Sequence, residues 1–566
     1  MTEALVVRTE GLTKAYGQRV ALTDLCLEIG AGEVFGYLGP NGAGKTTTLR
    51  LLAGMLRPTS GRAHVLGYDA WRDSVEVHRE MGYLSGEPAL YDRLTVREHA
   101  AYLGFLRHHV THDRVEELSV RLDLDLARPA RELSKGNKQK LALVLAMMST
   151  PTLLVLDEPT GGLDPIAQQE FHQILREHTD GGGSVLLSSH VLSEVQRVAD
   201  RVGVLRLGRL VAVERLDELR SKSLHHVQAQ FGEPMALDAF SDVPGLVDLS
   251  ISDQTMTCSA PQSALDQLLK RVGEHQVVDF ECFEASSRKP SSPTTAVVAT
   301  MLRSVLLKTV RDQRRSLLAW AVSILLLVMM YGAFWPSIRD QPSMNDYLTN
   351  LPEALRSLFT MSGADISTPT GYVQIELLSF IGPIVVILYA VSAGNAAVAG
   401  EEDRHTMDLL LANPISRTRL VLDKVGAMVI GILLITTVTG AALVLSGPLF
   451  GLTIPADKAA ASMVHLALLG LVFGSLALAI GAATGRTGAT RGVPGLVAVL
   501  AYIVNALGPM VSWLEPFQKL SPFYQYAGHD PLRNGVSGPG VMVALLTIAA
   551  LVMIAVWGFR RRDVLA

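Results

Sequence analysis

The chain changes along its length from mixed polar and apolar positions to long runs without charge. Residues 317–566 carry only 14 basic and 14 acidic residues. Six charge-free runs of at least 23 residues follow residue 315, and about 20 apolar residues suffice to span a bilayer as a helix. The pattern therefore predicts six transmembrane helices at about 316–338, 374–400, 425–448, 462–485, 492–514 and 538–559. A buried core helix is the alternative for one such run, but not for six in series.

The basic residues that flank these runs predict the orientation of the spans. With the N-terminal part in the cytoplasm, fourteen lysine and arginine residues fall on the inner side and five on the outer side. Basic residues accumulate in cytoplasmic loops. We therefore expect a multi-pass protein of the cytoplasmic membrane with both termini inside. The N-terminal residues MTEALVVRTEGL lack the apolar core of a signal peptide.

Three segments next to the runs have distinct patterns. Residues 299–315 place apolar positions near one helical face among basic ones and predict an amphipathic helix leading into the first span, with a plain helical linker as the alternative. The charged segment 401–424 contains three consecutive leucines and predicts a short cytoplasmic helix. The segment 515–531, rich in aromatic residues and proline, predicts either an outer loop that dips into the interface or an ordinary exposed loop.

Composition excludes several classes of protein. Of 566 residues, 18% are charged and 49% are apolar, whereas soluble domains average about 25% charged. An ordinary cytosolic enzyme and a disordered chain are therefore both disfavoured. The net charge of −4 provides no basic surface for nucleic acid. The three cysteines cannot all pair, which favours a reducing compartment for the soluble part.

The first motif with chemical meaning is GPNGAGKTT, Gly39–Thr47, between a strand-like and a helix-like segment. This pattern and context predict a phosphate-binding loop. Its glycines let backbone N–H groups face the phosphates at a helix N-terminus. We expect Lys45 to reach the β- and γ-phosphates and the Thr46 hydroxyl to bind Mg²⁺. The residues predicted to bind ATP in this loop are Gly39, Asn41, Gly42, Gly44, Lys45, Thr46 and Thr47.

A second motif, LLVLDEP, reads as a buried strand that ends in two acids. After a phosphate loop, Asp157 is suited to hold Mg²⁺ and Glu158 to polarise an attacking water. The pair alone is a weak signal, because many buried strands end in acidic residues.

In this order, the motifs resemble those of ABC transporter ATPases over residues 1 to about 220. LSKGNKQ is similar to the family signature LSGGQ, with Lys135 and Asn137 as departures. The resemblance implies that Ser134 and Gly136 contact the γ-phosphate of ATP held by the other subunit. It also implies ATP and Mg²⁺ as cofactors and ATP hydrolysis as the reaction.

Other positions match the family residue by residue. Tyr16 resembles the aromatic residue that stacks on adenine, with a packed tyrosine as the alternative. Asp164 resembles the loop that crosses the dimer interface, and His190 resembles the histidine next to the γ-phosphate. The family's usual metal-binding glutamine aligns with Gly86, so its role does not carry over. The adjacent Glu87 is a candidate replacement.

The second half resembles the permeases of type 2 ABC exporters, which implies that the 401–424 loop is a coupling helix. We therefore predict an α/β P-loop ATPase cassette with a small α+β extension, followed by an all-α six-helix transmembrane domain. The predicted boundaries are 1–220 for the cassette, 221–286 for the extension, 287–298 for a polar linker and 299–566 for the transmembrane domain.

One cassette cannot build a composite ATP site, so a homodimer is expected. The predicted function is ATP-driven export of a hydrophobic or amphipathic compound, such as an antibiotic, a drug or a lipid-like molecule. Glu376 is expected only at the outer edge of a span, and with no buried charge an ionic cargo is disfavoured. A membrane ATPase that transmits signal or force without cargo, and a sodium exporter, are the alternatives.

Overall fold

In the computed structural model the chain divides into two units, residues 1–296 and 297–566. The structure describes residues 5–107, 110–216, 224–232, 240, 243, 247–252, 254–273, 277–281, 304–339 and 365–564. The predicted linker 287–298 lies outside these residues, as does the start of the predicted helix 299–315.

Strands and helices alternate through most of the first unit. Its strands are β1 (Leu5–Tyr16), β2 (Arg19–Leu25), β3 (Glu28–Gly30), β4 (Val34–Leu38), β5 (Ser60–Val65), β6 (Tyr68–Asp69), β7 (Met81–Leu84), β8 (Leu153–Asp157), β9 (Ser184–Ser189), β10 (Arg201–Arg206), β11 (Arg209–Arg215), β12 (Leu224–Phe231), β13 (Val247–Ser252), β14 (Thr255–Pro261) and β15 (Val277–Glu281). Its helices are α1 (Lys45–Leu52), α2 (Ser74–Glu80), α3 (Val96–Arg107), α4 (His112–Arg121), α5 (Lys135–Met147), α6 (Pro165–Asp180), α7 (Leu192–Val195) and α8 (Gln262–Gly273), with a 3₁₀ turn at Ala130–Glu132.

The central sheet of this unit has the strand order β11-β10-β4-β9-β8-β7. Its pairs are parallel except β10 with β11. Strands β8 and β9 are buried at every position, as expected of apolar strands covered on both faces. A second, antiparallel sheet has the order β2-β1-β5-β6, with β3 paired to β1. Because β4, β9 and β8 are adjacent and parallel, the segments that follow them meet at one edge.

The predicted α+β extension contains an antiparallel sheet of order β13-β14-β12-β15. The amphipathic helix α8 packs on it, since Leu268 and Val272 share a buried cluster with Phe231, Met256 and Cys258. This small core is separate from the central sheet, as expected for a unit appended to a cassette.

In the second unit, six helices of the described part are long and apolar enough to cross a membrane. They are span 1 (Val305–Arg339), span 2 (Pro369–Ala397), span 3 (Arg417–Phe450), span 4 (Ala456–Thr484), span 5 (Thr487–Leu507) and span 6 (Gly538–Arg561). Span 4 is the most buried, at 83% of its apolar window, against 17% for spans 1, 5 and 6. Span 4 is therefore central, and spans 1, 5 and 6 present apolar surface outward.

Span 1 differs from the sequence-based prediction. The amphipathic segment and the first span form one continuous helix from Val305 to Arg339, without a turn near residue 315. No glycine or proline interrupts residues 305–331, so nothing in the sequence stops the helix. Lys308, expected at an interface, is buried with 4% of its side chain exposed.

The segment 515–531 packs against the spans and is not an ordinary exposed loop. It contains the short helices α11 (Glu515–Gln518) and α12 (Pro522–Ala527), and α13 (Pro531–Asn534) follows. Two further short helices, α9 (Ala399–Asp403) and α10 (Thr406–Leu411), lie in the loop before span 3. Phe523 and Tyr526 are buried, and the Tyr526 hydroxyl donates to the Leu378 carbonyl oxygen at 2.7 Å. Its aromatic residues thus serve packing between spans 2 and 4.

A buried ionic cluster ties the loop 401–424 to two spans. Lys424 Nζ donates to Glu401 Oε1 at 2.5 Å, and the Thr406 hydroxyl donates to Glu401 Oε2 at 2.5 Å. Nearby, Arg562 pairs with Glu402 and connects the end of span 6 to the same loop. The sequence analysis did not predict that Glu401, Glu402 and Lys424 are buried, because their partners lie far away in the sequence.

Candidate functional site

The candidate site forms where β4, β8 and β9 end. The loop Gly39–Gly44 follows β4, Glu158 follows β8 and His190 follows β9. The Gly39 N–H donates to the Ser189 carbonyl oxygen at 3.3 Å, which fastens two of these segments together. The parallel arrangement thus brings together residues that are more than 100 positions apart in the chain.

The loop after β4 adopts a conformation that requires glycine. Gly42 and Gly44 have φ values of 79° and 109°, and a Cβ at Gly44 would lie 2.7 Å from the Ala21 carbonyl oxygen. Lys45 opens α1, and its buried Nζ donates to the Gly39 carbonyl oxygen at 2.6 Å. The loop therefore curls around the lysine ammonium, as an anion-binding helix N-terminus does.

Asp157 holds two hydroxyl groups at the end of β8. Thr46 Oγ1 donates to Asp157 Oδ2 at 2.7 Å, and Ser188 Oγ donates to Asp157 Oδ1 at 2.5 Å. The Glu158 N–H donates in turn to Ser188 Oγ at 3.1 Å. Ser188 was missed by the sequence analysis, and its only signal is a polar residue within the apolar strand SVLLSS.

The Thr46 and Asp157 oxygens fit Mg²⁺, which prefers oxygen ligands. Several of its ligands usually come from water molecules and substrate phosphates. Among the described residues no group of three or more His, Cys, Asp or Glu side chains is placed to hold a metal ion. A cation here would accordingly take the rest of its ligands from a bound nucleotide and water.

Glu158 lies between a cation and an imidazole. Its Oε1 is 3.6 Å from Lys45 Nζ and 3.1 Å from His190 Nδ1. Its backbone has φ 45°, a left-handed conformation that is uncommon outside glycine and is found at functional sites. The strained turn keeps the carboxylate at the mouth of the site, where about a third of the side chain is exposed.

A cavity of about 750 Å³ opens over this loop. Its lining includes eight of the predicted site residues, Tyr16, Asn41, Gly42, Gly44, Lys45, Thr46, Thr47 and Glu158. Tyr16 is 41% exposed, and the Lys14 ammonium lies 5.2 Å from the centroid of its ring. The sequence analysis missed five further lining residues, none of which belongs to a motif. Arg19, Val20 and Ala21 begin β2, and Leu207 and Gly208 form the β10–β11 turn.

Ser134, Gly136 and Asp164 do not line this cavity. Ser134 caps α5 by accepting the Asn137 N–H at 3.2 Å. A Cβ at Gly136 would lie 2.6 Å from the Gly162 carbonyl oxygen, so the segment LSKGN packs closely on the loop that contains Gly162. Asp164 caps α6, and the Ala167 N–H lowers the pKa of its carboxyl group.

Gly86 lies next to the candidate metal ligand. A Cβ built on it would be 3.4 Å from Asp157 Oδ2, which is ordinary van der Waals contact. The neighbouring Glu87 is exposed and does not line the cavity. The geometry therefore gives no support to Glu87 as a replacement for the missing glutamine.

Comparison with known proteins matches both halves of the chain. Residues 22–161 match the family "ABC transporter", and residues 303–564 match the "ABC-2 family transporter protein" family. The chain is 34% identical to "Daunorubicin resistance ATP-binding protein DrrA3" of Streptomyces coeruleorubidus, over 50% of this chain and 92% of that protein. This chain belongs to the ABC transporter family.

Two further similarities concern the cassette of this ABC transporter. It is 33% identical to "Bacitracin transport ATP-binding protein BcrA" of Bacillus licheniformis, over 40% of this chain and 76% of that protein. A solved "ATP binding subunit of ABC transporter" is 30% identical over 38% of this chain and 92% of that one, with a TM-score of 0.36. The predicted fold class is confirmed, and the chain is a nucleotide-binding ATPase coupled to transport, fused to a multi-pass membrane unit.

Proposed function

We propose that this ABC transporter works as a homodimer that exports a hydrophobic or amphipathic compound across the cytoplasmic membrane. The observation that carries the proposal is the composition of the ATP cavity. It contains Lys45, Thr46 and Glu158 but neither Ser134 nor Gly136. A second copy, related by twofold symmetry, would supply these two groups to complete each of two sites.

In the proposed reaction the nucleotide phosphates lie against the N-terminus of α1, where backbone N–H groups and Lys45 neutralise their charge. Glu158 accepts the proton of the attacking water. His190 donates to Glu158 Oε1 and keeps the carboxylate oriented in its strained turn. Thr46 and Asp157 would hold Mg²⁺, which would supply charge stabilisation to the phosphate oxygens when bound. The Tyr16 ring stacks on the base.

The proposed transport cycle follows from where the groups lie. ATP bound between two cassettes would draw them together, because each site needs residues of both copies. Hydrolysis and phosphate release would remove these contacts and reopen the dimer. The membrane units would alternate the access of the cargo in step with closing and reopening.

The cargo class is supported by two observations. The names of two relatives refer to bacitracin transport and daunorubicin resistance, which favours an antibiotic-like compound. Spans 1, 5 and 6 present long apolar surfaces, with only 17% of their apolar windows buried, so compounds dissolved in the bilayer have direct access to them. The proposed location has the cassette and both termini in the cytoplasm.

The decisive experiment uses the full chain in proteoliposomes with the cassette outward. Amphipathic compounds are screened for stimulation of ATPase activity and for accumulation inside the vesicles, with Lys45→Ala as the inactive control. We expect at least one compound to do both. Sodium accumulation instead would favour an ion exporter, and ATP hydrolysis without accumulation of any solute would favour a signalling or force-transmitting ATPase.

A further inference from the structure

Glu376 occupies an unusual stretch of span 2. Residues Gln374–Ile381 form a π-helix between the α-helical segments Pro369–Val373 and Gly382–Ala397. Glu376 is thus the eighth residue of span 2, which begins five residues before the predicted span 374–400. π-helical turns are rare and frequently occur at functional sites, because the wider turn displaces side chains from their α-helical positions.

The Glu376 side chain lines a small cavity between spans 1, 2 and 3. Tyr331, Tyr372 and Phe450 contribute aromatic rings to the same cavity, and Ser446 contributes a hydroxyl. The open volume is about 10 Å³, close to the minimum that holds one water molecule. The cavity thus accommodates one small polar group, with apolar walls beyond it at Val328, Leu443 and Leu452.

The aromatic rings are held in fixed positions. The Tyr372 hydroxyl donates to the Tyr331 carbonyl oxygen at 2.8 Å. Trp335 packs on Tyr372 with ring centroids 5.2 Å apart, and the indole N–H of Trp335 donates to the Gly451 carbonyl oxygen at 3.3 Å. The ring of Tyr372 is therefore held in place before any ligand arrives.

Glu376 differs from Asp312 and Asp423, which lie in spans 1 and 3. Asp312 pairs with Lys308 at 2.8 Å, and Asp423 has Arg419 and Lys424 as neighbouring charges. Among the described residues, by contrast, the structure records no ion pair or hydrogen bond for the Glu376 carboxylate. A carboxylate in this position is costly without a partner, and such residues mark ligand or ion pathways.

We propose that Glu376, Tyr331, Tyr372 and Phe450 form an ammonium subsite that recognises the charged head of a cationic amphipathic cargo. A carboxylate attracts the ammonium charge, and aromatic faces bind cations through their quadrupoles. The cavity has room for the ammonium head alone, so the hydrophobic tail would lie outside it. This inference rests on the proposed export function and narrows its cargo to amphiphiles with a primary amine, since the cavity admits a group of about the size of water.

The test compares naphthylbutylamine with the matching naphthylbutanol, which lacks the charge. Binding of each to the full chain in lipid nanodiscs is measured by naphthyl fluorescence for the native protein, Glu376→Gln, Glu376→Asp and Glu515→Gln. Glu515 is an exposed acid outside the spans and serves as the matched control. We expect Glu376→Gln to weaken amine binding by about tenfold or more and to leave alcohol binding within about twofold. Glu376→Asp should retain part of the preference for the amine, and Glu515→Gln should retain all of it.

Three results would overturn the subsite: a native protein without preference for the amine, amine binding unchanged in Glu376→Gln, or equal loss of both compounds in a Glu376→Gln protein with the native size-exclusion profile. Binding of the alcohol reports whether a variant is folded. A misfolded Glu376→Gln protein is recognised by loss of both compounds together with an altered size-exclusion profile. In that case the preference of Glu376→Asp for the amine over the alcohol decides whether the subsite exists. Amine binding that depends on Glu376, without accumulation of any amphiphile in proteoliposomes, would refute export and retain the subsite.

Discussion

The imidazole Nδ1 of His190 lies 3.1 Å from the carboxylate oxygen Oε1 of Glu158. Glu158 follows β8 and His190 follows β9. Lys45 Nζ, at the start of α1 after β4, lies 3.6 Å from the same oxygen. A carboxylate in contact with a cation and an oriented imidazole is suited to accept a proton from water at the end of a phosphate chain. Two predictions follow from this contact.

Glu158→Gln is expected to lower the ATPase rate by about a hundredfold or more, because an amide does not accept the proton of the attacking water. ATP affinity should stay within a few fold, since Lys45 and the loop N–H groups remain. Single-turnover hydrolysis and nucleotide binding measure the two effects separately. The control is Glu117→Gln on the exposed surface of α4. ATPase activity near the native rate in Glu158→Gln would remove this glutamate from the proposed role.

His190→Ala is expected to reduce the ATPase rate by about tenfold to a hundredfold, the range for losing a hydrogen bond to a charged group. The double variant Glu158→Gln, His190→Ala should be no slower than Glu158→Gln alone, because His190 acts through the glutamate. His112→Ala, at the exposed start of α4, is the matched control. Additive losses in the double variant would show that His190 works independently of Glu158.

A third prediction concerns the composite site. Lys45→Ala removes the contact of this lysine with the phosphates. Ser134→Arg replaces the residue that caps α5 with a bulky side chain, which prevents this segment from reaching the nucleotide of the second copy. Each variant alone should be inactive. When both are co-expressed with different affinity tags and purified through both, each mixed dimer keeps one intact site out of two. We expect such dimers to hydrolyse ATP at up to about half of the native rate per dimer.

The co-expression experiment has its own control for folding. Replacing the cap of α5 costs about 1 kcal/mol, so thermal unfolding of Ser134→Arg is compared with that of the native chain. Mixed dimers as inactive as the parents would argue against shared sites. Full activity of a monodisperse monomer would argue against the dimer itself.

Much of the site is predictable because it depends on local motifs. Gly39–Thr47 carries its own turn and helix start, and Asp157 and Glu158 end an apolar strand. Parallel strand order then brings these segments to one edge. Ser188 escaped notice because its contact with Asp157 spans 31 positions and has no motif. The start of β2 at Arg19 and the β10–β11 turn at Leu207, which also line the cavity, were missed for the same reason.

In the membrane unit, too, some features can be predicted from the sequence and others cannot. Charge-free runs locate the spans, since the bilayer constrains length and composition alone. They do not reveal that span 1 begins at Val305 or that Glu376 occupies a π-helical turn. Lys308 is buried within span 1 and pairs with Asp312 one turn further along the same helix at 2.8 Å, and a charge-free run cannot reveal such a pair.

The fourth prediction concerns pH and the buried pair of Glu401 and Lys424. Burial alone would raise the pKa of Glu401, but the charges of Lys424 and Lys308 outweigh it and lower the pKa to about 2. A carboxyl group with a folded-state pKa below its ordinary value of 4.5 stabilises the fold above pH 4.5. This contribution, about 3 kcal/mol by linkage, is lost progressively as the pH falls from 4.5 toward 2.

Glu401→Gln should remove this dependence and destabilise the membrane unit at neutral pH by about 3 to 5 kcal/mol, because the buried ammonium of Lys424 then loses its carboxylate partner. Thermal unfolding of the detergent-solubilised protein at pH 7 and pH 3 measures both effects. Asp403→Asn, two positions away and exposed, is the matched control and should leave unfolding unchanged. If Glu401→Gln unfolds at the native temperature at pH 7, the ion pair does not stabilise the junction between spans 1, 2 and 3. Loss of stability in Asp403→Asn as well would assign the effect to the loop as a whole.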